Sequence, residues 1–386
     1  MKDRFEFYSP VKIEAGIGVT DDMAPFIKPF TPQKIAIICG PHFSKGEVFV
    51  KFLERVKSCC KDVTVISETA PEPDDTLINR LSAKLKGISP DLVIGIGGGS
   101  VLDITKAICM LYTNEGSIND YLFGGSKTVA HEALPMILIP TTAGSGSEVS
   151  ASCVIGDSEK NVKLSVTSPL IFAKYALLDP QMQVSMSPKL TASTGMDAMT
   201  HAIEAYTSRN STFFSDMYAV KAIKTIARYL PICYKNPDDL NARLQMSISA
   251  TIAAISFLSG GLGLVHGISQ TIGGIYHTAH GITNAILLPY VMKYNYEAAP
   301  DRFEKIETLL SCGDTDSIFT DDDYDAPRMI KKLNRYLNVP EHLSGIGVSE
   351  DGFDEIIKGT MEYRLLPCNP REASPKLIRT ILEKSI

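Results

Sequence analysis

The stretch GMDAMTHAIEAY, residues 195–206, carries a carboxylate, Asp197, and an imidazole, His201, four residues apart in an apolar run. On a helix, positions i and i+4 are neighbours on one face. Met196, Ala198, Met199, Ala202 and Ile203 mark that helix as largely inside. Burying an ionised carboxylate is expensive unless something pairs with it. Two arrangements satisfy the pair: a side-chain hydrogen bond between Asp197 and His201, or a cation held by both. The chain has 7 histidines, and His201, His266, His277 and His280 fall close together in its second half. His266 lies in the glycine-rich GLGLVHGISQTIGG, and His280 in IYHTAHGITNAILLP, just ahead of Gly281 and a new helix. Asp197, His201, His266 and His280 would offer one oxygen and three nitrogens, a set that Zn or Fe accepts. No cysteine belongs to the set, which argues against a structural zinc knot. Taken singly, His266 and His280 also fit hydrogen-bonded core histidines. His277 reads equally as a ligand, a proton relay or an exposed side chain.

A second chemistry-bearing pattern lies earlier. In DLVIGIGGGSVLDITKAI, residues 91–108, a buried strand runs into three glycines, a serine and an amphipathic helix. Consecutive glycines permit close backbone approach, and a helix start offers free N–H groups and partial positive charge. Together they suit a pyrophosphate. The spacing predicts Ser100 as N-cap, with Asp103 completing a capping-box-like arrangement. The stretch is not G-x-G-x-x-G, so the common dinucleotide fingerprint does not apply as written. LIPTTAGSGSEVS, residues 138–150, is another strand exit, crowded with hydroxyls. Two such exits from one open sheet point to a nucleotide crevice, whereas each alone also reads as a polar loop.

These residues need elements to hold them. KIAIICG (34–40), DVTVIS (62–67), DLVIGIG (91–97) and LPMILIP (134–140) read as buried strands with helical stretches between them, which predicts a parallel sheet covered on both faces. After ALLDP (176–180) the rhythm becomes helical, over 189–208, 215–230, 240–258, 266–295 and 326–337. A chain of 386 residues exceeds one ordinary core. We therefore expect an α/β dinucleotide-binding domain over 1–180 and an all-helical metal-binding domain over 181–386. The acidic patch DTDSIFTDDDYDAP (314–327) reads as a solvated loop.

Bulk properties narrow the partners. A net charge of -6 gives no reason to expect nucleic acid or an anionic membrane. No apolar run approaches bilayer length, and MKDRFEFYSP lacks a signal-peptide core. The 8 cysteines are scattered without a C-x-x-C, as in a reducing compartment. The expectation is a cytoplasmic protein with no membrane partner.

GIGGGSVLDITKAI, PTTAGSGSEVS, LLDPQMQVSMSPKLTASTGMDAMTHAIEAYTS, GLGLVHGISQTIGG, HGITNAILLPYVMKYN and NPRE follow one another in an order that resembles the iron-containing (group III) alcohol dehydrogenases over nearly the whole chain. The resemblance implies a dehydroquinate synthase-like two-domain architecture. It implies a divalent metal, Fe(II) or Zn(II), on Asp197, His201, His266 and His280. It implies contacts to NAD(H) or NADP(H) from Gly97, Gly98, Gly99, Ser100, Asp103, Thr141, Thr142, Ser145, Ser150 and Lys163. The reaction implied is hydride transfer between nicotinamide C4 and a small alcohol or aldehyde, by a homodimer or higher homo-oligomer.

Three positions depart from the family pattern. Gln270 stands where many relatives have a second histidine that passes the alcohol proton, and glutamine is neither acid nor base at neutral pH. His277, or water near it, is the candidate relay, so His277, Gln270 and Asp103 are the expected catalytic positions. Gly40 stands where NAD-preferring relatives commonly carry Asp, which leaves NADP(H) unexcluded. Glu72 replaces an Asn near the adenosine. Two competing readings are a metal- and NAD-dependent sugar-ring lyase of the dehydroquinate synthase type and a non-catalytic binding or assembly protein.

Overall fold

The computed structural model describes residues 4–159, 162–313, 318–319 and 325–386. Most of the acidic patch expected as a loop therefore lies outside the described residues. The chain divides into two compact units, one of Ser9–Thr142 and Gly146–Ser185, the other of Met1–Tyr8, Ala143–Ser145 and Met186–Ile386.

The first unit holds β1 (Lys12–Ala15), α1 (Ala24–Ile27), β2 (Lys34–Cys39), α2 (Glu47–Cys59), β3 (Asp62–Ile66), α3 (Asp75–Ile88), β4 (Leu92–Gly97), α4 (Gly99–Thr113), β5 (Met136–Pro140), β6 (Ser152–Asp157), β7 (Val162–Thr167) and β8 (Tyr175–Leu178). Six strands form one sheet in the order β1-β8-β5-β4-β2-β3, with every pairing parallel. Ile35, Ile37, Leu92, Ile94, Ile96, Ile137 and Ile139 pack with Phe49, Phe52 and Val56 of α2 in one cluster. Such continuous apolar strands are what a sheet covered on both faces requires. The chain steps outward from β2 to β3, then returns past β2 to β4 and continues to β5 and β8. The direction of winding thus reverses between β2 and β4, where open α/β sheets place ligands at the carboxyl ends.

Four strands were not anticipated. β1 (KIEA) and β8 (YALL) are four residues each and too short to stand out. β6 and β7 form an antiparallel hairpin, Ser152 opposite Thr167 through Asp157 opposite Val162. In β6 the burial alternates, Cys153, Ile155 and Asp157 inward, so only a period-2 reading would have found it.

The second unit is helical: α5 (Pro188–Thr207), α6 (Phe213–Lys235), α7 (Leu240–Gly260), α8 (Leu264–Tyr276), α9 (His280–Asn295), α10 (Pro300–Gly313), α11 (Ala326–Tyr336), α12 (Phe353–Met361) and α13 (Pro375–Ser385). Pro188 opens α5, and the Ser187 hydroxyl accepts the Leu190 N–H at 3.2 Å. Its apolar residues Met196, Met199 and Ile203 join Ile223, Ile226, Leu230, Ile268 and Ile286 in a single core. The apolar run 266–295 divides because His277 turns left-handed at φ 52° and ends α8. Among the described residues no single helix is long and apolar enough to cross a membrane.

Candidate metal and cofactor sites

Three helices bring the titratable groups of the second unit together. Asp197 Oδ1 lies 3.8 Å from His201 Nε2, 3.8 Å from His266 Nε2 and 3.7 Å from His280 Nε2. Single ligand atoms of Asp197, His201 and His266 all lie within 4.8 Å of one another. Asp197 and His201 share a face of α5, while α8 and α9 supply the other two imidazoles. His280 reaches the cluster because Gly281 lets α9 start against α5: a Cβ there would stand 2.1 Å from the Ser193 carbonyl oxygen. The rings of His201 and His266 stack with centroids 4.7 Å apart, and Phe257 lies 4.7 Å from His201 on another side.

The surroundings decide what these groups can do. Burial alone would raise the Asp197 carboxyl, but His201, His280, His266 and the Asn284 amide together hold it below its usual value. Burial lowers His201 to about 4, more than the Asp197 charge restores, so the ring is neutral near pH 7 with a lone pair to offer. Glu204 Oε2 sits 2.6 Å from His266 Nδ1, and the Ser269 hydroxyl 3.2 Å from His280 Nδ1. Both contacts engage the ring nitrogen that faces away from Asp197.

Asn284 tests whether a cation fits. Its Nδ2 lies 2.8 Å from Asp197 Oδ1, 3.1 Å from His280 Nε2 and 3.4 Å from His266 Nε2. Two amide hydrogens cannot serve three acceptors. Asn284 Oδ1 is a buried side-chain oxygen without a hydrogen-bond partner among the described residues. Acceptors therefore outnumber donors at this point, which is the condition a divalent cation relieves. A carboxylate and three imidazoles fit such an ion.

In the first unit, the register aligns Cys39 with Ile96 and Gly97 with Pro140, and the Thr141 N–H donates to the Gly97 carbonyl at 2.9 Å. Gly40, Gly97–Gly99 and Thr141–Thr142 therefore open from one edge of three adjacent strands, at the reversal of winding. Ser100 is not the cap that the spacing predicts. α4 begins two residues earlier than such a cap implies, at Gly99, with Gly98 as N-cap and no side-chain hydrogen bond at its start. With no capping side chain, the first-turn N–H groups stay available to an anion. Gly97 is needed for close helix–strand packing: a Cβ there would meet Val101 Cβ at 2.5 Å.

Asp103 makes no capping box either. Its Oδ1 accepts from the Ser147 hydroxyl at 2.6 Å and its Oδ2 from the Val154 N–H at 3.0 Å. Lys106, fully buried, lies 3.1 Å from Asp103 and donates to the Ser147 carbonyl at 3.0 Å, the Ser150 hydroxyl at 2.8 Å and the Ser152 carbonyl. Asp103 and Ser150 are thus held in a brace between α4 and the 147–154 segment. Lys163 pairs with Glu72 at 2.8 Å. Ser145 belongs to the short piece Ala143–Ser145, which counts with the helical unit and touches α5 at Thr194 through Gly144. Gln270 follows His266 by one turn of α8 and is half-buried, while His277 is exposed. Neither is among the three residues of the tight ligand cluster.

Glu204, Ser269, Asn284 and Lys106 escaped the sequence reading. Their signals were present: Glu204 extends the Asp197–His201 face of α5 to i+7, and Asn284 follows His280 at i+4. Cys153 is a fully buried core thiol, pushed up to about 12 by burial.

An α/β unit with a glycine turn, chained to a helical unit, is the dehydroquinate synthase-like architecture. Within that class, residues 10–180 match the description "Iron-containing alcohol dehydrogenase" and residues 191–386 match "Fe-containing alcohol dehydrogenase family, C-terminal". The chain belongs to the iron-containing alcohol dehydrogenase family and is an enzyme of the alcohol dehydrogenase type. It is 33% identical over 383 residues to the NAD-dependent methanol dehydrogenase of Bacillus methanolicus, covering 98% of this chain and 99% of that protein. It is 35% identical to long-chain-alcohol dehydrogenase 1 of Geobacillus thermodenitrificans, covering 97% and 95% respectively. The solved structure of a 1,3-propanediol oxidoreductase superposes with a TM-score of 0.92 at 28% identity, over 99% of this chain and 100% of that one. These matches do not favour the lyase or the binding-protein alternative.

Proposed function

We propose that the enzyme is an NAD(P)-dependent, divalent-metal-dependent alcohol dehydrogenase and aldehyde reductase acting on small alcohols or aldehydes. Residues 1–180 would serve the cofactor and 181–386 the metal. One observation carries the reading: Asp197 Oδ1 stands 3.7–3.8 Å from the Nε2 atoms of three histidines drawn from three helices. Asp197, His201, His266 and His280 would hold the cation, Fe(II) or Zn(II). When bound, that ion lowers the pKa of an alcohol hydroxyl and polarises an aldehyde carbonyl, while the nicotinamide accepts or supplies hydride.

The chain's own residues prepare for this chemistry. First-turn N–H groups of α4 receive the pyrophosphate, with Gly97 and Gly98 allowing close approach. Thr141, Thr142 and Ser145 offer hydroxyls to phosphate and ribose, and Lys163 a positive charge. Asp103, Lys106 and Ser150 hold the 147–154 segment in place. Phe257 covers the His201 ring and keeps water from that side. His277, or water beside it, would accept the alcohol proton in place of Gln270. A Cβ at Gly40 would meet nothing within 4 Å, so no side chain there opposes a 2′-phosphate and NADP(H) is accepted beside NAD(H). The enzyme's relatives include a methanol dehydrogenase and a long-chain-alcohol dehydrogenase, so within this class the particular alcohol is the property to measure.

The test is an absorbance assay of NADH and NADPH oxidation against a panel of short aldehydes, on metal-stripped protein with and without added Fe(II) or Zn(II). Activity is expected only with added metal. Undiminished turnover by the stripped protein would overturn the metal role.

A further inference from the structure

We propose that Glu204 is the positioning residue of the metal cluster: its carboxylate sets which nitrogen of His266 carries the proton, and hence which one faces the cation. This rests on the metal reading given above. Glu204 is buried on α5, with Oε2 2.6 Å from His266 Nδ1. With Oε1 taken up by a backbone N–H, Oε2 is placed as the acceptor of this contact, and the proton it accepts is the one on Nδ1. In that tautomer the ring's lone pair is on Nε2, the atom 3.8 Å from Asp197 Oδ1.

The same carboxylate also holds the backbone that carries the ring. Its Oε1 accepts the Val265 N–H at 2.7 Å. α8 starts at Leu264 behind Gly263, which supplies no side-chain cap, so its first N–H groups need acceptors from elsewhere. Asn369 Oδ1 takes the Leu264 N–H at 3.2 Å, and Glu204 takes the next. His266 is the third residue of that turn. One carboxylate therefore fixes the start of α8 through one oxygen and the ring's tautomer through the other.

The geometry makes Glu204→Gln a sharp probe. A glutamine has one accepting oxygen and one donating NH2 group. If the oxygen keeps the Val265 N–H, the NH2 faces Nδ1 and drives the proton to Nε2, closing the lone pair the metal needs.

The experiment measures imidazole nitrogen chemical shifts in 15N-histidine-labelled, metal-free protein, together with Zn(II) and Co(II) affinity. Wild type should show His266 protonated on Nδ1. Glu204→Gln should move population to the Nε2–H form and weaken metal binding about 10- to 100-fold. Asn369→Ala, which removes the other acceptor of the α8 start together with the Asn295 and Arg371 contacts but leaves the Glu204–His266 pair, should stay close to the wild-type affinity. A wild-type His266 protonated on Nε2 would overturn the proposal, as would wild-type metal affinity in Glu204→Gln or an equal loss in Asn369→Ala. The tautomer measurement needs no metal. A wild type that takes up neither ion would therefore sink the reading of the site, and the tautomer result would still decide the Glu204–His266 bond.

Discussion

The two candidate sites of this enzyme are built from different materials. The metal cluster is made of side chains: four ligand candidates on three helices, oriented by Glu204, Ser269 and Asn284. The cofactor edge is made largely of backbone: the carboxyl ends of β2, β4 and β5, and the uncapped start of α4. A side-chain site depends on residue identity at each position and on exact partners one layer out. A backbone site depends on where strands end and on how near a helix can come. Substitutions should therefore act differently in the two regions, abruptly in the first and by degrees in the second.

The largest effect is expected at the cluster. Asp197→Ala removes the only carboxylate among the proposed ligands, and the several kcal/mol supplied by the metal correspond to about three orders of magnitude or more in kcat. Steady-state kinetics with metal analysis would measure this, and near-normal turnover would erase the contrast between the regions. In the α/β unit, Lys106→Met strands a partly buried Asp103 and the Ser147 and Ser152 carbonyls. It should cost about 3 kcal/mol of that unit's stability. Urea unfolding followed by circular dichroism reads the change, and an unaltered midpoint would mean the brace is idle.

Gly97→Ala should be milder. Its Cβ would overlap Val101, at 2.5 Å, and push α4 off the strand, for about 1–3 kcal/mol and a raised KM for NADH. If KM stays constant while stability falls, Gly97 serves packing alone. The smallest effect is expected from Gly40→Asp, which enters open space. A new carboxylate near a 2′-phosphate should lower kcat/KM for NADPH relative to NADH by about tenfold, the size of one like-charge contact in a wet site. An unchanged ratio would remove Gly40 from the cofactor's surroundings.

Much of this was readable in the chain. Three runs rich in Ile, Val and Leu, those of β2, β4 and β5, announced the parallel sheet, because a strand buried on both faces has no polar side to show, while β3 at the sheet's edge is only partly buried. The strands that went unread, β1, β8 and the β6–β7 hairpin, are short or only half-buried, and their alternation is diluted by Ser, Lys and Gly. Ser100 was misjudged as a cap because a serine near a helix start is ordinarily one. Here the helix begins at Gly99, and the missing side chain at Gly98 is what opens the turn to an anion.

The amino-acid sequence by itself determined the family, the order of α/β and helical halves, and the residue types able to hold a cation. Those follow from local patterns, since periodicity and i, i+4 spacing are properties of neighbouring residues. Only the tertiary structure decided that His280 reaches Asp197, that Asn284 stands among too many acceptors, and that Glu204 serves both His266 and the start of α8. Each of those contacts joins residues far apart in the chain. Helix packing creates them, through close approaches such as Gly281 against Ser193, and no local pattern encodes the distance between two helices.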